Sequence, residues 1–163
     1  MKTKHITQGA LFCALDGVLC HGQNLLIPAS ASFVIQVRAA EALCVLAFFT
    51  PAAIGGLTLG CFLFNLSFAA ALPLDVPLGT LATLLSVIFM YMCRNFKVNG
   101  VPLFGFFLPV LFNGMIVGGE LTYYFGGGFP LNALCVACGE TIALFAIGYP
   151  LFLTLKRFPA LFK

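Results

Sequence analysis

The sequence predicts an all-α integral membrane protein, in which a bundle of six transmembrane helices forms a single domain over residues 1–163. Hydrophobic side chains make up 61% of the chain and charged side chains only 8%, whereas soluble proteins carry about 25% charged residues. The mean hydropathy is +1.08, and long apolar runs recur from one end of the chain to the other. A soluble domain of this composition is excluded, because too little polar surface is available to face water.

Proline, glycine and polar breaks divide the apolar sequence into six spans. Thr50 and Pro51 form a start signal for the third span, because threonine caps helices and proline suits the first helical turn. Pro77 opens the fourth span, and Gly126, Gly127 and Gly128 precede the sixth. We therefore predict spans at 6–20, 34–49, 51–71, 77–93, 103–125 and 130–155.

The basic residues predict how the bundle is oriented. Of the eight Lys and Arg residues, seven lie near the N-terminus, after the fourth span or after the sixth span. In a six-span protein these three places share one side of the membrane, and the positive-inside rule makes that side cytoplasmic. Both termini are therefore predicted to be cytoplasmic. Arg38 is the exception, since it falls at the outer end of the second span.

Polar side chains within the spans predict a binding site. An ionisable residue at the centre of a span costs about 2.5–3.5 kcal/mol on insertion scales, so several together indicate a function. Arg38 and Glu41 can neutralise one another, but Glu120 and Glu140 then have no further cation nearby. We predict an externally open pocket that binds a planar small molecule rich in hydrogen-bond donors. The candidate substrate-binding residues are Arg38, Glu41, Asn65, Asn113, Glu120, Asn132 and Glu140.

No pattern in the sequence predicts covalent chemistry. The phosphate-binding pattern GxxxxGK[ST] and the hydrolase patterns HExxH and GxSxG are missing from the chain. Cys135 and Cys138 have the spacing of one helical turn within a span, where cysteine commonly acts as a small apolar residue. We expect no enzyme activity, no cofactor, no metal and, since the basic residues lie at membrane boundaries, no nucleic-acid partner.

Small residues recur at helical spacing on the first span. Gly9, Ala10, Ala14 and Gly17 give it one face without bulky side chains, and such faces let helix backbones approach closely in membranes. From the spacing alone, this face packs either within the chain or against another membrane subunit.

Two segments of the sequence carry a family resemblance. Gln36-Val-Arg-Ala-Ala-Glu41, followed by Phe48-Phe-Thr-Pro-Ala-Ala53, resembles the QueT family, and similarity extends through Asn65, Asn113, Glu120 and Asn132 to Glu140. QueT proteins are substrate-binding components of bacterial energy-coupling factor importers, with deazaguanine precursors of queuosine as their assigned ligands. The resemblance implies a coupling membrane subunit and two ATPase subunits as partners, a location in the bacterial plasma membrane, and docking through Ala10 and Ala14.

The sequence departs from the family pattern at a few places, and a second function stays open. Asp16 stands where a neutral residue is expected, Cys135 replaces a common aromatic residue, and the loop 22–32 is divergent. The alternative function is an autonomous secondary transporter that uses Glu120 or Glu140 as a proton relay, because buried carboxylates serve either role.

The predicted orientation is testable by labelling from each side of the membrane. A cysteine introduced as Lys2→Cys or Ala160→Cys should react with a membrane-impermeant thiol reagent only from the cytoplasmic side, and Leu25→Cys only from outside. Labelling of Leu25→Cys solely from the cytoplasmic side would contradict the six-span topology.

Overall fold

The computed structural model describes residues 2–27, 37–68 and 72–162, and these ranges are helical apart from turns and one short bridge between Val98 and Val101. In chain order the elements are α1 (Lys2–Leu26), a 3-10 helix (Ala39–Phe48), α2 (Ala52–Ser67), α3 (Asp75–Cys93), α4 (Leu103–Phe125), α5 (Phe129–Ile142), a π-helical segment (Ala143–Gly148), α6 (Tyr149–Lys156) and a terminal 3-10 turn (Pro159–Phe162).

Three of these helices are long and apolar enough to cross a membrane. They are α3, α4 and the continuous helix Phe129–Lys156, which is formed by α5, the π segment and α6. The prediction of an all-helical membrane protein is thereby confirmed. The prediction of six spans stays open, since α2 has 16 residues and an α-helix of that length covers about 24 Å of a hydrocarbon core about 30 Å thick.

The 3-10 helix Ala39–Phe48, hereafter the central helix, lies in the middle of the bundle. Every residue from Ala40 to Phe48 is buried, and the central helix contacts α1, α2, α3, α4, α6 and the π segment. Its sequence is rich in alanine, so a narrow helix fits between the surrounding elements. In a 3-10 helix the side chains at i and i+3 eclipse one another, which aligns Glu41 with Cys44.

This geometry differs from the predicted second span at 34–49. Residues 34–36 lie outside the described ranges, Arg38 is extended, and the helix begins at Ala39. A ten-residue helix of this type covers about 20 Å, against about 15 Å as an α-helix. The apolar run was correctly predicted to be helical, but its helix type and its starting residue depend on the packing around it.

Glycine contacts join α1 to α2. A Cβ atom at Gly56 would lie 2.5 Å from the Gly9 carbonyl oxygen, and one at Gly60 would lie 2.8 Å from the Asp16 Cβ. Both positions therefore require glycine, and the two glycines form a packing face of the kind that lets membrane helices approach closely. The small-residue face of α1 is divided, because Gly9 packs against α2 while Ala10 and Ala14 are exposed.

Long-range hydrogen bonds gather three segments at one end of the bundle. Gln8 Nε2 donates to the Leu161 carbonyl at 3.3 Å, and Lys156 Nζ donates to the Gly100 carbonyl at 2.9 Å. The N-terminal part of α1, the α3–α4 loop and the C-terminal segment thus lie together. These are the three places where the sequence concentrates its basic residues, although the side of the membrane they face stays a prediction.

The α4–α5 contact gives a test of the packing. A Cβ at Gly118 would lie 2.6 Å from the Ala133 Cα atom, which belongs to rigid helix backbone. We expect Gly118→Ala to lower the free energy of unfolding by about 1–3 kcal/mol, the usual cost of overpacking, seen as a lower melting temperature in detergent.

The neighbouring glycine provides the control. A Cβ at Gly119 would meet only the Phe129 ring, at 3.9 Å, so Gly119→Ala should leave the melting temperature unchanged or raise it. Equal melting temperatures for the two variants would contradict the proposed close approach of α4 and α5.

Candidate functional site

The end of α1 fixes the segment that carries Arg38. Gln23 on α1 accepts a hydrogen bond from the Ala39 amide at 2.7 Å and donates one to the Val37 carbonyl. These two bonds hold the extended residues just before the central helix. Arg38 lies between them and therefore enters the bundle in a defined position.

Asn65 connects Arg38 to α3. The Arg38 guanidinium donates to Asn65 Oδ1 at 3.1 Å, and Asn65 Nδ2 donates to the Asp75 carbonyl at 3.0 Å. The guanidinium also lies 5.5 Å from the centre of the Phe64 ring, within the range of a cation–π interaction. A Cβ at Gly79 would lie 2.9 Å from Asn65 Nδ2, so α3 provides the space that the amide occupies.

The structure shows no ion pair between Arg38 and Glu41 within the described residues. Glu41 instead accepts a hydrogen bond at 3.4 Å from the thiol of Cys44, which lies on the same face of the central helix. Neutralisation of Arg38 by Glu41, the structural alternative to a binding site, therefore does not occur through a direct ion pair, although the two charges lie within electrostatic range of one another. Its physical reason is the helix start, since Arg38 precedes the first helical residue and turns toward α2.

The carboxyl groups of all five acidic residues of the chain lie within electrostatic range of the Arg38 guanidinium. These residues come from five different helices and lie far apart in sequence. We call Arg38 together with these carboxyls the Arg38 cluster. Its acidic members are Asp16, Glu41, Asp75, Glu120 and Glu140.

Several buried polar atoms in and near the Arg38 cluster have no hydrogen-bond partner among the described residues. Glu120 is 2% exposed, and neither of its carboxyl oxygens makes a well-formed hydrogen bond, although the Asp75 carboxyl lies within interaction range of it. Glu140 is 3% exposed and its Oε2 is unpartnered. Asn113 Nδ2, an unpartnered donor, lies on α4 two helical turns before Glu120. Buried polar groups are ordinarily hydrogen-bonded, so this set can accept and donate bonds to a ligand.

The predicted external opening is not visible around these residues. Glu41, Asn65, Asn113, Glu120 and Glu140 are all buried. Two surface grooves have apolar linings that contain none of the predicted substrate-binding residues. Access to the Arg38 cluster from outside thus stays a prediction.

Asn132 lies apart from these contacts. Its amide nitrogen donates to Thr122 Oγ1 at 2.9 Å and to the Gly126 carbonyl at 3.0 Å, which closes the turn between α4 and α5. Both side-chain donor hydrogens are therefore engaged within the chain, and only the amide oxygen is left for a substrate. Its role in binding stays a prediction.

Sequence reasoning passed over three residues of this region. Gln23 was assigned no role, because no pattern in the neighbouring sequence indicates that its side chain accepts a hydrogen bond from Ala39, 16 residues further along the chain. Asp75 was likewise assigned no role, and Asp16 was identified only as a departure from the family pattern. The signal that could have identified both acids was composition, because a membrane chain with five acidic residues has few reasons to retain any of them.

A groove between α1 and α2 contains both predicted docking residues. Its volume is about 600 Å³, and Ala10 and Ala14 line it with small, exposed side chains. The other residues of the α1–α2 groove are His5, Ile6, Gly9, Cys13, Pro51, Ala52, Gly55, Gly56 and Leu59.

Comparison with known sequences decides the family. The sequence profile of the QueT transporter family matches residues 6–157, nearly the whole chain. The chain belongs to the QueT transporter family. This assignment confirms the family resemblance of the sequence and points to a membrane transporter rather than an enzyme. Searches of curated proteins and of solved structures gave no match.

Membership of the QueT transporter family agrees with the fold. A transporter needs apolar helices that enter the bilayer and polar groups within the bundle that recognise a solute. The described residues provide three long apolar helices and, among the helices, the Arg38 cluster, in which four of the five carboxyls are buried.

Proposed function

We propose that this QueT-family protein is the substrate-binding subunit of an ATP-driven energy-coupling factor importer in a bacterial plasma membrane, and that it binds a deazaguanine base at the Arg38 cluster. The observation that carries the proposal is the set of unpartnered buried atoms on Asn113, Glu120 and Glu140. Unsatisfied polar groups of this kind cost stability, and a ligand that completes their hydrogen bonds recovers it.

The pattern of donors and acceptors supports a guanine-like ligand. A guanine-like ring presents N–H donors along one edge, which the carboxylates of Glu120 and Glu140 can accept. Its carbonyl oxygen is an acceptor that suits the unpartnered amide nitrogen of Asn113. Arg38 is already hydrogen-bonded to Asn65, so its guanidinium contributes positive charge and position. Substrate binding by Glu41, Asn65 and Asn132 remains part of the proposal.

The α1–α2 groove supports a partner subunit. A lipid tail gains little by filling a groove lined with small residues, whereas a helix from another subunit gains close backbone contact. We therefore assign Ala10 and Ala14 to docking on a coupling membrane subunit, which in turn carries two ATPase subunits. The same buried carboxyls would serve a proton relay in an autonomous carrier, which is the competing function.

The two glutamates give the test of the binding site. Glu120→Gln and Glu140→Gln keep the side-chain shape but replace an acceptor with a donor that opposes the ligand's own N–H groups. Losing a charge-assisted hydrogen bond costs about 1.5–3 kcal/mol, so affinity for a deazaguanine base should fall about ten- to hundredfold. Calorimetric titration of the purified variants measures this loss.

A buried polar residue away from the proposed contacts is the control. Ser86 is fully buried and donates within its own helix to the Ala82 carbonyl at 2.7 Å. Ser86→Ala should therefore leave the ligand affinity unchanged. If both glutamate variants also retain full affinity, Glu120 and Glu140 do not contact the substrate.

Docking is tested separately from binding. Ala14→Trp fills the α1–α2 groove and should abolish co-purification with the coupling subunit and ATP-dependent uptake. Ligand binding by the isolated chain should be retained, because the Ala14 side chain is exposed whereas Glu120 and Glu140 are buried.

The matched control for docking lies one helical turn away on α1. Leu11 is 56% exposed and is not part of the groove lining, so Leu11→Trp should leave co-purification and uptake unchanged. Normal uptake by Ala14→Trp would contradict docking through this groove. Uptake driven by a proton gradient in vesicles that contain this chain alone would favour the autonomous carrier.

A further inference from the structure

The acidic and basic side chains of the chain are concentrated in different parts of the bundle. The carboxyl groups of all five acidic residues lie within electrostatic range of Arg38, whose segment is held by Gln23. Gln8, which bonds to the C-terminal segment, lies 15 residues earlier on α1, or about 22 Å along the helix axis. No acidic side chain therefore lies among the basic residues at the far end.

Four of these basic residues stand where two apolar helices end, and we call them the basic end. Arg94 and Lys97 follow α3, while Lys156 is the last residue of the helix Phe129–Lys156 and Arg157 comes next. Lys97, Lys156 and Arg157 are exposed. Because both helices are long and apolar enough to cross a membrane, the residues that follow them lie at the depth of the lipid headgroups.

A tight turn brings the two halves of the basic end together. Asn99 and Gly100 both have positive φ angles, 52° and 77°, and the valines on either side of them close the turn with a bridge. The Gly100 carbonyl accepts a hydrogen bond from Lys156 Nζ at 2.9 Å, across 56 residues of sequence. The residues after α3 and the residues at the end of α6 thus form one cationic surface.

Exposed aromatic side chains stand beside these cations. Phe96 is 70% exposed and precedes Lys97, and Phe158 is 56% exposed and follows Arg157. Phenylalanine next to lysine or arginine is typical of surfaces that place apolar rings among acyl chains while the cations stay with the headgroups. A membrane surface provides both environments, so this arrangement favours a lipid over an acidic protein as the partner.

The donors of the basic end suit a phosphate group. A lysine ammonium offers three donors and an arginine guanidinium offers five, and arginine binds phosphate through two parallel hydrogen bonds. Lys156 uses one donor on the Gly100 carbonyl. This bond holds the ammonium group against the α3–α4 loop and leaves further donors for a phosphate oxygen.

We propose that the basic end binds the phosphate of an anionic phospholipid, which bridges the α3–α4 loop and the C-terminal end of α6. The lipid headgroup supplies the negative charge that this end of the chain lacks. The inference goes beyond the proposed function and does not depend on it, since it requires neither a transported substrate nor another protein.

Lipid binding by the purified full-length chain tests the proposal. The chain in neutral detergent is titrated with phosphatidylglycerol, which is anionic, or with phosphatidylcholine, which has the same phosphate but no net charge, and bound lipid is counted by native mass spectrometry. Each lysine or arginine near an anionic lipid surface contributes about 1 kcal/mol, or about fivefold in affinity. We expect a preference of more than about tenfold for phosphatidylglycerol, which should shrink as added salt screens the charges.

A double variant identifies the residues responsible. Lys97→Gln with Arg157→Gln removes two cations and should weaken phosphatidylglycerol binding about 25-fold. The melting temperature of the lipid-free chain should stay unchanged, because both side chains are exposed. The control is Lys97→Arg with Arg157→Lys, which keeps both charges and should retain the natural affinity.

Three results would overturn the proposal. One is equal binding of the two lipids by the natural chain, and another is unchanged phosphatidylglycerol affinity in the double Gln variant. The third is a rise in melting temperature with inorganic phosphate equal to that with phosphatidylglycerol, since the site would then bind a free anion. A double Gln variant that keeps its lipid but no longer co-purifies with a protein partner would make the basic end a protein-binding surface instead.

Discussion

The structure depends on Arg38, a partly buried arginine that lies among the helices. An arginine side chain within a bilayer protein is stable only when its charge and its donors are matched. Here Asn65, the Phe64 ring and the carboxyl groups nearby provide these interactions. These partners come from α1, the central helix, α2, α3, α4 and α5. Arg38 therefore makes the positions of the helices depend on one another, although it lies in a segment with no regular structure.

The central helix allows side chains from several helices to lie close to Arg38. A 3-10 helix is narrower than an α-helix and rises further per residue, so ten residues reach deep into the bundle while six neighbouring elements pack around them. The π segment after Glu140 lies against it, where a Cβ at Gly148 would come 3.2 Å from Val45 Cγ1. Departures from α-helical geometry often mark functional sites. Here the 3-10 helix contains the buried Glu41, and the π segment begins three residues after the buried Glu140.

The α1 helix has two faces with different surroundings. Asp16 points toward Gly60 and the Arg38 cluster, while Ala10 and Ala14 line an exposed groove. Buried polar groups without a well-formed hydrogen bond, such as the Glu120 carboxyl, lower the free energy of unfolding. Such groups are typical of binding sites, where function is favoured over stability.

The sequence by itself determined the membrane class, the bounds of α4 at Leu103–Phe125 and the family. These features are local, because composition and spacing along a helix do not depend on which partner packs against it. The tertiary structure decided which side chains form hydrogen bonds with one another. Arg38 bonds to Asn65, 27 residues away, rather than to Glu41, and Asn132 uses its donors in a turn. Which side chains meet is set by helix type and by the path between helices, and a change in repeat from 3.6 to 3.0 residues redirects every side chain along the helix.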